Sequence, residues 1–279
     1  KLKILDYKKD KDKSSTLLIE GNYKKDKSIH IRNISFQESK NKFFIKDLYL
    51  NNNLKFNSVK NINIDFVNQS KKYNNFSLKK NNKDYELNGK EFDAIFLIDN
   101  ILESGSDRDV SSIFNNLNSN IIVKIDKTHI DEISYINNLI GNINFTNNKI
   151  KKLTLESNFS NNQKITLTIN TTDNNEKVTT LHSSFPKPLV KRYKFIKGFE
   201  GGVLDFYSIK KNNISKSVLK IDNFKVKEVP VLAKLLTLAS LQGIADLLTG
   251  EGVRFTDFEM IYSNKEGLMT IDEIYAIGP

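Results

Sequence analysis

Catalysis or metal binding in this chain would have to start from a small set of side chains. Its 279 residues include three histidines and no cysteine. His30, His129 and His182 lie far apart in sequence, and none has a second ligand at the spacing a metal site needs. They read as half-exposed strand residues. Without cysteine there is neither a thiolate metal site nor a disulfide framework. Asp205, Asp222 and Asp257 could pair as acid and base, but each occupies a polar position of an alternating stretch, where solvation accounts for it. Ser240 is the one serine inside the most apolar segment and so a candidate nucleophile. It sits in Ala239-Ser-Leu-Gln-Gly243, not in a G-x-S-x-G elbow, and no histidine is near it. Gly198-Phe-Glu-Gly-Gly202 is glycine-rich. It leads into a strand rather than opening a helix, so it reads as a turn and not as a phosphate loop. No catalytic residue, metal ligand or cofactor is assigned, and the chain reads as a non-enzyme.

The elements around these residues are mostly strands. Ser28-Ile-His-Ile-Arg32, Asn61-Ile-Asn-Ile-Asp-Phe66, Lys164-Ile-Thr-Leu-Thr-Ile-Asn170 and Val218-Leu-Lys-Ile-Asp222 alternate apolar and polar. So do Arg254-Phe-Thr-Asp-Phe-Glu-Met-Ile-Tyr262 and Leu268-Met-Thr-Ile-Asp-Glu-Ile-Tyr275. Alternation puts one row of side chains on each face, the pattern of antiparallel sheets with one wet face. Short Asn/Lys/Gly clusters such as Lys80-Asn-Asn-Lys83, Lys211-Asn-Asn213 and Asn264-Lys-Glu-Gly267 supply hairpin turns. The expected fold is mainly β: a long antiparallel sheet, curled like a trough, with a few short helices and one longer apolar helix near the C-terminus.

Two short helices are expected over 92–102 and 186–196. The longer one is expected within 230–248. There, Pro230 suits a first helical turn, and Gly250 and Gly252 suit a stop. Lys234, Gln242 and Asp246 lie inside this segment, and charges at mid-bilayer are costly. It therefore reads as a helix packed on a sheet, or as a plug or interfacial contact, with Gly243 a point where it divides in two. Glu103-Ser-Gly-Ser-Asp-Arg-Asp-Val110 is the best linker candidate. It separates a β-rich segment, 1–102, from a meander with the apolar helix, 103–279.

Charge narrows the partners. The formal net charge is +10, but lysine dominates, and Arg32, Arg108, Arg192 and Arg254 are the only arginines. Readers of bases and phosphates favour bidentate arginine, and the lysines are dispersed rather than gathered in a stripe. Nucleic acid is therefore not an expected partner. Dispersed lysines suit anionic lipid headgroups better.

From about Gly201 onward the chain resembles the C-terminal module of the AsmA-like family of Gram-negative envelope proteins, close to the TamB and YhdP group. The resemblance rests on Gly201-Gly-Val-Leu204, on the amphipathic strand Leu219-Lys-Ile-Asp-Asn-Phe224, and on a long helix motif. That motif is carried by Pro230, Leu232, Ala233, Leu235, Leu236, Leu238, Ala239, Ser240, Leu241, Gly243, Ile244, Asp246, Leu247, Leu248, Gly250, Gly252 and Phe255, with Val253 where the family has Ile. Upstream, Leu87-Asn-Gly-Lys-Glu-Phe-Asp-Ala94 is similar to the family's G-x-x-x-D-A entry to a short helix. The resemblance implies a periplasmic protein held at the inner membrane by a segment outside this chain. It also implies a trough that shields phospholipid acyl chains between the inner and outer membranes. Envelope proteins are further possible partners under it. Two other readings stay open: an assembly factor that offers sheet edges to outer-membrane protein strands, and a ligand-free structural β-domain.

A trough needs an apolar strip. The candidates are Ile143 and Phe145, Leu153 and Leu155, then Ile165, Leu167 and Ile169, each two residues apart within its strand and so on one face. Thr154 and Thr166 are expected on the opposite face.

Overall fold

A computed structural model describes residues 6–23, 29–95, 97–98, 118–146, 149–160, 162–191, 197–228 and 252–278. Among the described residues the chain is mainly β, with fifteen strands and one short helix. It forms two compact units, Lys1–Ser157 and Asn158–Pro279. The expected 102/103 boundary and the linker 103–110 lie outside the described residues.

The first unit carries β1 (Thr16–Tyr23), β2 (Ile29–Glu38), β3 (Asn41–Leu50), β4 (Phe56–Val67), β5 (Tyr73–Asn81), β6 (Asp84–Asp93), β7 (Ser119–His129), β8 (Tyr135–Thr146) and β9 (Lys149–Asn158). These pair in chain order. All the pairs described by register are antiparallel except one: β6 and β7 run parallel, with Leu87 opposite Val123. This corrects the wholly antiparallel expectation. A parallel neighbour needs a crossover rather than a hairpin, and residues 94–118 provide it. The second unit carries β10 (Lys164–Thr171), β11 (Lys177–Ser183), α1 (Lys187–Lys191), β12 (Lys197–Lys211), β13 (Ile214–Glu228), β14 (Val253–Lys265) and β15 (Leu268–Ile277). Its strands form an antiparallel meander. β1 pairs only with β2, and β15 only with β14, so neither edge strand closes its sheet.

Turn chemistry explains the hairpins. Asn82 and Asn212 have positive φ of 56° and 55° in the two-residue turns after β5 and β12. Glu266 and Gly267, at 54° and 88°, turn β14 into β15. Two-residue turns need such left-handed backbone, which asparagine and glycine tolerate best.

The helical expectations fare differently. Over 186–196 the structure gives the five-residue α1, with 192–196 outside the described residues. Over 92–102, Phe92 and Asp93 still belong to β6. The chain turns helical only afterwards, where Ile95 N–H donates to Asp93 Oδ1 at 3.0 Å and Ile98 N–H to the Ala94 carbonyl at 2.9 Å. Asp93 is thus an N-cap at the end of a strand. The apolar segment 230–248, with every motif residue from Pro230 to Gly250, lies outside the described residues. Gly252 is described and has φ +91°. A Cβ there would sit 2.7 Å from the Val226 carbonyl oxygen, so only glycine fits the entry to β14. Gly198-Phe-Glu-Gly-Gly202 is not a turn: all five residues lie within β12.

Three buried clusters follow the sheet faces. In the first unit, Tyr7 packs edge-on against Phe36, Phe43 and Phe66, with centroids 4.8–5.9 Å away. A larger cluster there joins Val59, Tyr85, Ile121, Val123, Ile125 and Phe145. In the second unit, Val190 of α1 meets Phe199, Leu204, Ile221, Phe224, Val226 and Val253.

Candidate functional site

In each unit the strand register lines up apolar side chains along one face of the sheet. In the first, Ile19, Ile34, Ile45, Ile62, Leu78, Leu87, Val123 and Gly141 are successive cross-strand partners on β1 to β8. Leu155 of β9 lies beside Gly141, its Cδ2 2.8 Å from where a Cβ would be. In the second, Leu167, Leu181, Phe206, Leu219, Met260 and Ile274 are partners in the same way on β10 to β15. All six side chains of the second row stay at least half-exposed. Among the described residues, packing between strands is packing between sheet neighbours, and α1 against β12 is the helix contact of note.

The opposite face is polar in the same register. Glu20, Asn33, Lys46, Asn61, Lys79 and Glu86 follow one another in the first unit. Thr166, His182, Asp205, Lys220 and Glu259 do so in the second. Lys220 Nζ is 2.7 Å from Glu259 Oε2, and that carboxylate raises the lysine's pKa first by its hydrogen bond and then by its charge. Adjacent opposite charges favour the pairing modestly.

The expected strip falls within these rows. Phe145, Leu153 and Ile169 are buried, while Ile143, Leu155, Ile165 and Leu167 are half-buried. Ile143 is opposite Ile121, and Phe145 opposite Ser119. Leu167 is opposite Leu181, and Ile165 opposite Ser183.

Strict alternation breaks at defined places, and the breaks align. Arg32, Asp47 and Lys60 are skipped by the pairing of β2, β3 and β4. Gly202, Asn223 and Thr256 are skipped in β12, β13 and β14. Asp47, Asn223 and Gly202 have positive φ of 50°, 51° and 84°. One unpaired residue per strand changes the phase of alternation. Ile221 and Phe224, three apart, thereby join the same buried cluster. Aligned extra residues crease a sheet and raise its local twist.

The residues examined for chemistry are held by structure. Each histidine contacts a carboxylate on the neighbouring strand: His30 Nε2 to Asp47 at 3.0 Å, His129 Nε2 to Glu91 at 2.6 Å, His182 Nδ1 to Asp205 at 2.8 Å. His30 also stacks on Tyr49, centroids 4.2 Å apart. Burial pushes the Glu91 pKa up, but bonds from His129 and Lys127 together with the Lys127 charge outweigh it, so the carboxyl sits below its ordinary range. Asp222 and Asp257 are cross-strand partners, and Asp205 is opposite Lys220. Among the described residues, no group of three His, Asp or Glu could hold a metal ion. Ser240 lies outside them.

Other polar groups at strand ends are also partnered. Asn68 Nδ2 donates to Asp93 at 2.6 Å, and Asp93 N–H to Asn74 Oδ1 at 2.9 Å. Tyr7 OH donates to Glu38 at 2.6 Å; burial, then that bond, raise its pKa. Among the described residues, no helix is long and apolar enough to cross a membrane. Comparison with family models, curated proteins and solved structures finds no match to this chain.

Proposed function

We propose that this chain shields phospholipid acyl chains along the apolar faces of its sheets, as a segment of an AsmA-like protein of the Gram-negative envelope. The observation that carries the reading is the row Leu167, Leu181, Phe206, Leu219, Met260 and Ile274, apolar on six successive strands and at least half-exposed throughout. At ~4.8 Å per strand the row is about 24 Å long. That exceeds the ~15 Å of bilayer core that one leaflet's acyl chains fill. Large exposed apolar strips mark contacts with a ligand, a membrane or a protein. A hydrocarbon chain needs area and no directional chemistry, which suits a face without a convergent set of polar groups. On this reading the protein is periplasmic, is anchored to the inner membrane outside this chain, passes lipid toward the outer membrane and performs no catalysis.

A second reading is supported by the edges. Leu17, Leu18 and Ile19 on β1, and Leu268, Ile271, Ile274 and Ile277 on β15, are exposed, and unpaired edge strands recruit other strands. Such an edge would serve an envelope assembly factor. Mass spectrometry of organic extracts from the chain, purified without detergent, separates the two. Stoichiometric phospholipid supports shielding; lipid-free protein that pairs with outer-membrane protein strands supports the edge reading.

A further inference from the structure

The apolar face of the second unit changes character along the strands. At one end, Phe199, Phe224 and Phe255 stack face to face, with centroids 5.2 and 5.0 Å apart. The fully apolar row through Leu219 comes next. Two residues further along each strand, the same face carries Thr179, Ser208, Ser217 and Tyr262, partners in register. Ser217 Oγ donates to Ser208 Oγ at 2.9 Å, and both serines are buried. Two residues beyond that, Lys177 stands directly opposite Lys210. Like charges placed opposite one another disfavour strand pairing. An anionic group over the pair removes that repulsion.

We propose that this face orients an anionic phospholipid, with its acyl chains along the Leu219 row and its phosphate at the Thr179–Ser208–Ser217 hydroxyls beneath Lys177 and Lys210. The inference rests on the acyl-shielding reading and adds to it an orientation and a headgroup charge. The sequence aromatic, aliphatic, hydroxyl, cation along the strands matches an amphiphile from tail to headgroup. Hydroxyls and lysines both bond phosphate oxygens well. Nearby Glu176 is held by Lys211 at 2.8 Å. The first unit shows no such gradient, because its face ends at the corresponding side in Tyr23, Ile29, Leu50 and Phe56, partners in register.

The test uses the purified whole chain and phosphatidylcholine vesicles doped with photoactivatable phosphatidylglycerol or photoactivatable phosphatidylcholine. Each probe carries its reactive group either on the acyl terminus or on the headgroup. Headgroup adducts of phosphatidylglycerol should map to Thr179, Lys177 and Lys210, and tail adducts to Phe206 and Leu219. Phosphatidylglycerol should be captured roughly fivefold over phosphatidylcholine, the scale expected of two lysines near an anionic headgroup after solvent screening. Lys177→Glu with Lys210→Glu should abolish the preference and leave tail capture intact. Lys177→Gln with Lys210→Gln should do the same where the reversed pair fails to fold, and the paired arginine variant should keep the preference. Equal capture of both lipids with tail adducts in place overturns the headgroup assignment alone, as does a preference that survives the glutamine pair. Headgroup adducts at Phe199 or Phe255 overturn the orientation. Capture of neither lipid overturns the acyl-shielding reading with it.

Discussion

Deleting Asn223 should cost the second unit far more than replacing it. Asn223 is exposed, has φ 51° and is skipped by the pairing with both neighbouring strands. Its role is to shift phase, so that Ile221 and Phe224 share a face. Without it, strict alternation turns Phe224 and Val226 outward, because a one-residue slip moves every following side chain to the other face. Both are buried, beside Phe199, Phe255 and Val253. Burial of each is worth about 1.5–3 kcal/mol, so the deletion forfeits about 3–6 kcal/mol. Set against a typical stability of about 5–15 kcal/mol, that nearly unfolds the unit. Asn223→Gly keeps the extra residue and its left-handed backbone, and should stay within about 1 kcal/mol of the parent. Asn223→Val, β-branched at positive φ, should cost about 1–2 kcal/mol. Urea denaturation followed by far-UV circular dichroism reads all three; the chain has no tryptophan. With urea slopes of about 1–3 kcal/mol per molar, the deletion should lower the midpoint by at least about 1 M. An unchanged midpoint for the deletion, or a valine variant as stable as the glycine one, would refute the phase-shift account.

Other perturbations follow from single contacts. Tyr85 is buried and its hydroxyl accepts the Val59 N–H at 3.3 Å, so Tyr85→Phe leaves a buried donor unpaired and should cost about 1–3 kcal/mol in thermal unfolding. A Cβ on Gly141 would collide with the Thr154 carbonyl and crowd Leu155; Gly141→Ala should cost about 1–3 kcal/mol and speed amide exchange in β8 and β9. The Glu91 carboxyl lies below its ordinary range when folded. Its stabilisation is therefore complete above the unfolded value near ~4.3 and is lost as pH falls through the lower folded value. Glu91→Gln should flatten that part of the stability profile between about pH 5 and pH 3, whereas an unaltered profile would show that the His129–Lys127 site does not carry it.

Much of the sheet was legible because period-2 alternation is a direct print of a two-faced strand. Lys164-Ile-Thr-Leu-Thr-Ile-Asn170 and Leu268-Met-Thr-Ile-Asp-Glu-Ile-Tyr275 lie in β10 and β15 as expected. The aligned phase shifts were missed, although their signal is present: Ile31 and Ile34, Ile45 and Leu48, Val59 and Ile62, Ile221 and Phe224, Phe255 and Phe258 are apolar pairs three apart inside strands. The histidine–carboxylate pairs leave no local trace, since their partners are 17, 38 and 23 residues away. The parallel β6–β7 pair is equally silent, because direction is set by the crossover and not by either strand. The Thr179–Ser217 hydroxyl row emerges only once four strands are in register. In single strands those residues look like interruptions of the apolar pattern.

The central claim is that the apolar rows hold acyl chains. Photo-crosslinking side chains placed singly at Leu155, Leu167 and Leu219, and on the opposite face at Thr154, Thr166 and Lys220, test it in living Gram-negative cells. The account predicts phospholipid adducts at the first three positions and not at the second three. Adducts confined to Thr154, Thr166 and Lys220, or absent from all six, would contradict it.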